Sequence, residues 1–284
     1  MIATLEFAPR PLAEQLGHGY AELLDRAIPR LRRIAMRNLQ FALPRLGHLQ
    51  HARIVDGVFL SIGRLLVAFA RFPSINSGNV HEWIRYEGFA HFTSGLKRGK
   101  GVLFATAHLG NWELSAYAHA LMAQPMNVVV RPLDNSLLDR FVENRRALSG
   151  NTLIGKRDFV RPILKALREN EAVGILVDQN SFADSGVFVP FFGVPACVNI
   201  SFAKLAHRSG AAVIPGFAVW SERERKYILR FYPEVQMTGD AEADTAAVQN
   251  ALEAAIAEYP DQWLWIHRRW KTRPEGEASR YNDL

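Results

Sequence analysis

The chain has 284 residues, 49% of them hydrophobic and 22% charged, and a formal net charge of +6. This balance excludes a disordered chain and supplies enough apolar side chains for one large α/β domain or two small ones. The excess of cations points to an anionic partner: nucleic acid, an anionic membrane face or a phosphorylated substrate.

In chain order, the opening "MIATLEFAPRPLAEQ" has Glu6 and two prolines where a secretory signal would have a basic end and an apolar block. Residues 1–72 read as helical. In "ELLDRAIPRLRRIAMRNLQFAL", Leu24, Ile28, Leu31, Ala35 and Leu39 share one helical face. Arg26, Arg30, Arg33 and Arg37 share the opposite one, and Pro29 marks a kink or a break. That pattern suits a helix lying on anionic headgroups, and equally a surface helix packed on its own domain. Farther on, Val55, Phe59, Ile62, Leu66 and Phe69 form a second apolar stripe with Arg64 facing away. It reads as core, with the wall of a greasy groove as the alternative. The run 54–72 also holds Asp56. Each of these two charges costs roughly 2.5–3.5 kcal/mol at a bilayer centre, so no spanning helix is expected.

Beyond residue 72 the pattern changes. Segments 101–108, 126–132, 172–179, 211–220 and 227–235 read as strands, the first four as apolar runs without strict alternation. Such runs suit strands buried on both faces. Helical patterns lie between and after them, near 111–124, 134–148, 158–169, 198–209 and 241–259. Alternating strands and helices imply an α/β fold: a mostly parallel central sheet flanked by helices, with a helical N-terminal cap over 1–72 and the α/β domain over 73–284. A single cysteine, Cys197, rules out an internal disulfide, fits a reducing compartment and reads as buried packing.

Working residues in such sheets gather at the carboxyl ends of strands. Three of these ends carry polar groups: His108, Arg131 and the run Asp178-Gln179-Asn180. After His108, Gly110 allows a tight turn, Asn111 is a good N-cap, and Glu113 falls in the first helical turn. So short a turn can fold the Glu113 carboxylate back onto the imidazole, fixing its tautomer and leaving the other nitrogen free to take a proton. Alternatively, Glu113 only complements the helix dipole. No second histidine stands at zinc-ligand spacing, so no metal is expected. There is neither a Gly-x-Ser-x-Gly elbow nor a phosphate-binding glycine loop. What remains is direct attack by a substrate hydroxyl on an activated carbonyl, with backbone N–H groups or Arg131 stabilising the oxyanion. The basic residues are spread along the chain with no nucleic-acid motif, so no nucleic-acid partner is expected.

The blocks "HLGNWE" (108–113), "VVVRPLDN" (128–135), "RALSG" (146–150), "GILVDQ" (174–179), "GVFVPFFGVPA" (186–196) and "PDQWLWIHRRWK" (260–271) together resemble the bacterial lipid A late acyltransferases. These are often grouped with lysophospholipid acyltransferases. The resemblance runs from about residue 32 to 274. It implies a glycerolipid-acyltransferase-like α/β fold beside a membrane, peripheral on the cytoplasmic face of the inner membrane. It also implies transfer of a fatty acyl chain from acyl carrier protein or coenzyme A to a lipid hydroxyl, with no cofactor beyond that thioester. By position, His108 becomes the general base and Glu113 its acidic partner. Asp178 is expected in the active centre, with bracing of the imidazole as an alternative role. Arg131 is expected there for phosphate or oxyanion, and Asn111, Arg146 and Gln179 on substrate. Phe191 and Phe192, with Phe188, read as a lipid groove or as ordinary core. The "HRRWK" run (267–271) reads as a headgroup or carrier site, or as a solvated cluster.

The chain departs from the pattern in two ways. Many lipid A enzymes begin with a transmembrane anchor, and none is visible here. Trp220 stands where an arginine is usual and Asn180 where an acid is. The departures widen the expected acceptors from lipid A precursor to lysophospholipid, glycolipid or aminolipid. A catalytically silent lipid-binding protein and an acyl thioesterase are the competing readings.

Overall fold

The computed structural model describes residues 1–155 and 159–282. Four helices open the chain: α1 (Ile2–Phe7), α2 (Arg10–Ala27), α3 (Pro29–Ala42) and α4 (His48–Ala70). Pro29 takes the first position of α3, where its missing N–H has no intrahelical partner to lose, so the basic stretch is two helices. Some of its arginines are spent on ion pairs: Arg26 of the basic face with Glu22, and Arg32 beside it with both Asp25 and Asp56. On α4, Val55, Phe59 and Phe69 are buried and Ile62 and Leu66 pack beside them, so the stripe is core. Helices α2 and α4 cross with their backbones touching. A Cβ at Gly63 would stand 2.7 Å from the Gly17 carbonyl oxygen, and only glycine fits. No helix among the described residues is long and apolar enough to cross a membrane.

Next come β1 (Ile84–Glu87), α5 (Phe89–Leu96), β2 (Val102–Thr106), α6 (Trp112–Met122), β3 (Asn127–Val130), α7 (Ser136–Ala147) and β4 (Thr152–Gly155). They are followed by α8 (Val160–Arg168), β5 (Ala172–Leu176), β6 (Gly186–Phe191), β7 (Val194–Asn199) and α9 (Ser201–Ser209). Last are β8 (Ala212–Ser221), β9 (Lys226–Phe231) and α10 (Ala241–Glu258). Seven strands form one sheet in the order β1-β9-β8-β2-β5-β3-β4. Every neighbouring pair is parallel except β8 with β9. A separate hairpin joins β6 to β7.

The mostly parallel sheet is as expected; β1, β4, α5 and the β6–β7 hairpin are additions. β1 and β4 are edge strands of four residues, each ending on an exposed residue and too short for a pattern to declare itself. Position 158 of the expected 158–169 helix lies outside the described residues, and α8 covers 160–168 of it. Alternation along β2 sends Leu103 and Ala105 into one core and Val102 and Phe104 into another, on opposite faces of the sheet. The central strands therefore lie between two apolar layers, and their polar ends emerge on one edge.

Candidate active site

Parallel register brings the polar strand ends together. Thr106 of β2 pairs with Leu176 of β5, so His108 and Asp178 both stand two residues past paired positions. Beyond β2 the chain is clamped from two sides. The Leu264 N–H donates to the His108 carbonyl at 3.0 Å, Gly110 N–H to the Gln262 carbonyl at 2.9 Å, and Asn111 N–H to the Ala218 carbonyl at 2.8 Å. Gly110 sits at φ 63°, and a Cβ there would collide with the Ala218 carbonyl. The Asn111 side chain then caps α6 by accepting from Leu114 N–H at 2.9 Å.

His108 Nδ1–H donates to Asp178 Oδ1 at 2.8 Å. The other carboxylate oxygen accepts from the His108 backbone N–H and from Trp263 Nε1–H, each at 2.8 Å. Asp178 is 2% exposed. Burial alone would raise its pKa, but the charge of His108 and these three donors hold it at about 2. For His108, burial disfavours the imidazolium, yet the charge and hydrogen bond of Asp178 outweigh burial, and the pKa is raised. Glu113 adds to that rise and Arg146 opposes it. Because an ionised carboxylate only accepts, the proton of the neutral imidazole is fixed on Nδ1. Nε2 keeps a lone pair, with the Gln179 amide nitrogen 3.4 Å away.

His108 lies on the wall of a cavity of about 580 Å³. Glu113, Arg131, Arg146 and Gln179 line the same space, and its depth is lined by Phe104, Tyr117, Met126, His119, Leu229 and Phe231. His119 is held neutral by burial, its pKa lowered to about 4, and its Nδ1 lies 3.1 Å from the Tyr86 hydroxyl. A polar mouth with one cation pair and an uncharged, largely aromatic depth fits an amphiphile.

Several sequence expectations need correction. Glu113 does not touch the imidazole. As second residue of the capped α6 it projects toward α7, where Arg146 grips it in a fork of 2.8 Å from Nε and 2.5 Å from Nη2. The carboxylate on His108 is Asp178, the alternative role left open above. Asn111 is fully buried in its capping role and does not line the cavity. Phe191 and Phe192 do not line it either. The β6–β7 hairpin turns them into an aromatic cluster, Phe191 at 5.7 Å from Trp263 and 5.9 Å from Trp270, Phe192 at 5.6 Å from Trp265. Phe188 is half-buried on that hairpin. Arg131 is exposed on the cavity rim and has no hydrogen bond or ion pair among the described residues. Cys197 is buried, which raises its thiol pKa. Trp220 lies outside this cavity, stacked between Arg64 at 4.6 Å and Arg225 at 5.7 Å.

Two features escaped the sequence reading although Trp263 lay in a quoted block and Asn180 had been singled out. Trp263 carries the second oxygen of Asp178. Asn180 straps the 267–272 segment over the Asp178 loop, donating to Thr272 Oγ1 at 2.9 Å and accepting from its N–H at 2.9 Å. An acid at that position could accept but not donate. His267 accepts from Asn180 N–H at 3.1 Å, and burial lowers its pKa to about 4. Among the described residues no group of three His, Cys, Asp or Glu side chains is placed to hold a metal ion.

The Glu113–Arg146 pair has a measurable consequence. In Glu113→Gln, the anion that raises the His108 pKa is gone while the opposing Arg146 charge stays. The His108 titration, followed by NMR, is expected to move to lower pH with its Nδ1–H tautomer retained. A switch of tautomer would put Glu113 back on the imidazole, and an upward shift would contradict the electrostatic role given to Glu113.

Against known proteins, residues 1–272 match the family described as bacterial lipid A biosynthesis acyltransferase. The chain is 30% identical over 276 residues to a lipid A biosynthesis lauroyltransferase of Escherichia coli, covering 96% of this chain and 90% of that one. It is 30% identical to the palmitoleoyltransferase of the same organism, over 96% and 89%. A phosphatidylinositol mannoside acyltransferase of Mycolicibacterium smegmatis is 31% identical over 205 residues, 70% of this chain and 66% of that one.

Proposed function

Because the chain belongs to the bacterial lipid A biosynthesis acyltransferase family, and is therefore an acyltransferase with an acyl donor and a lipid acceptor, we propose that it transfers a fatty acyl group from a thioester to a lipid hydroxyl with His108 as general base. The observation that carries this reading is the pairing of His108 Nδ1 with buried Asp178, which leaves the basic Nε2 on the wall of a deep apolar cavity.

In this mechanism the acceptor hydroxyl gives its proton to Nε2 as its oxygen attacks the thioester carbonyl. The imidazolium so formed is stabilised by the Asp178 carboxylate 2.8 Å from Nδ1. The tetrahedral oxyanion then collapses; the C–S bond breaks, and the departing thiolate recovers the proton from Nε2. General-base assistance contributes about 10²–10⁴-fold, and the rest comes from holding the acyl chain and the acceptor in register. The aromatic depth takes the chain. Arg146, kept in place by Glu113, and Arg131, without a partner among the described residues, face the phosphates of donor or acceptor at the mouth. The donor is acyl carrier protein or coenzyme A thioester. The acceptor is a lipid A precursor, a phosphatidylinositol mannoside or a lysophospholipid, met at a membrane surface.

The test is incubation of the purified protein with each thioester and each acceptor, read by mass spectrometry. One acceptor is expected to gain the mass of a single acyl residue. Consumption of thioester with only free fatty acid released would make the protein a thioesterase, and no consumption at all would make it a binding protein.

A further inference from the structure

The mouth of the cavity carries apolar side chains that no packing explains. Arg131, Pro132, Leu133 and Asp134 form one side of its rim, and α7 begins two residues later. None of the twelve residues of α7 is buried. At its start Leu137 is 77% exposed and Leu138 56%. Ser181 is on the cavity wall from another direction, and Phe182, next to it, is 76% exposed. The α7 helix is held at its other end instead, by Arg146 on Glu113 and by Arg145 on Glu6 at 2.6 Å. Its leucine-bearing end therefore projects free beside the opening.

We propose that Leu137, Leu138 and Phe182 insert into a lipid bilayer, so that the cavity mouth opens directly onto the membrane that supplies the acceptor. This rests on the lipid acceptor proposed above. Two observations select a bilayer. The exposed apolar group adjoins the opening through which a lipid must enter, and its chains then never cross water. The guanidinium of Arg131, exposed and without a partner among the described residues, stands on the rim of the same opening, where headgroup phosphates would meet it. Asp134 is also exposed on that rim, so apolar insertion sets the affinity and Arg131 orients the docked molecule.

The experiment uses vesicles of phosphatidylethanolamine and phosphatidylglycerol. In Leu137→Cys, a polarity-sensitive fluorophore goes to residue 137, since Cys197 is buried. Its emission is expected to shift to the blue on vesicle addition and to be quenched by lipids bearing a quencher on the acyl chain. The triple variant Leu137→Asp/Leu138→Asp/Phe182→Asp is expected to bind vesicles and to acylate a vesicle-borne acceptor about tenfold less well or worse, while turning over a short-chain acceptor in detergent at the wild-type rate. A label that stays in water, or a triple variant that binds as wild type, would overturn the proposal. So would loss of binding in Leu23→Asp/Leu49→Asp, on the exposed apolar side chains of α2 and α4, with the rim variant unaffected. The fluorescence arm requires no turnover, so failure of the enzymatic reading and failure of this docking surface give different results.

Discussion

Changing His108 to alanine is expected to lower single-turnover acyl transfer about 10³–10⁴-fold while leaving acyl-chain binding in place. In the proposed mechanism the side chain removed has two functions: its Nε2 takes the acceptor proton, and its imidazolium pairs with Asp178 as charge develops. Neither neighbour replaces it. The Gln179 amide is no base, and Glu113 is engaged by Arg146. The fold should survive, because the backbone N–H of residue 108 and Trp263 Nε1–H still reach Asp178 Oδ2. The loss of one partner from a buried carboxylate costs about 1–3 kcal/mol. Imidazole added to the buffer should restore part of the rate by occupying the vacated position. Turnover within tenfold of wild type, with purified thioester and acceptor, would remove His108 from the chemistry.

Asp178→Asn is the second large effect, and its direction follows from counting donors. Oδ2 accepts two N–H groups and Oδ1 accepts one. An asparagine at this position must place its single oxygen where two donors converge, because its NH₂ there would meet both of them. The NH₂ then faces His108 Nδ1, which can accept only by giving up its proton. The imidazole switches to the Nε2–H tautomer and loses the lone pair that faces the cavity. A wrong tautomer with intact geometry costs about 10⁴-fold in serine proteases, and a fall of about 10³–10⁴-fold is expected here.

The pH profile separates this from simple unfolding. In the wild type, Asp178 raises the His108 pKa, so the acidic limb of kcat/KM should lie above the ordinary imidazole value of about 6.5. Without the anion, burial acts unopposed by Asp178, and the limb should move to lower pH as the plateau drops. A plateau within tenfold of wild type, or a limb that stays in place, would contradict the pairing.

Much of this was legible in the sequence. Apolar runs located the central strands, and the strand-end rule picked out His108, Arg131 and Asp178. The quoted blocks identified the family before any geometry was known. The identity of the carboxylate on His108 was a different matter. Glu113 is five residues from His108 and Asp178 seventy, so local reasoning favours Glu113, whereas the parallel register of β2 with β5 decides for Asp178. Register is a tertiary fact with no local signature. The same holds for Phe191, whose burial depends on a hairpin folding against tryptophans far along the chain. The exposure of Leu137 and Leu138 was illegible for a related reason: an amphipathic pattern marks an apolar face but not what covers it.

The clamp of residues 262–264 on the His108 turn has a consequence for synthesis. His108 emerges from the ribosome long before Trp263, yet the carboxylate that orients its ring lacks one of its donors, and its turn lacks two of its backbone anchors, until that segment arrives. Nascent and prematurely terminated chains therefore carry the base without its alignment. Under the proposed mechanism, acyl transfer is withheld from incomplete polypeptides and begins only when the final layer of the molecule closes.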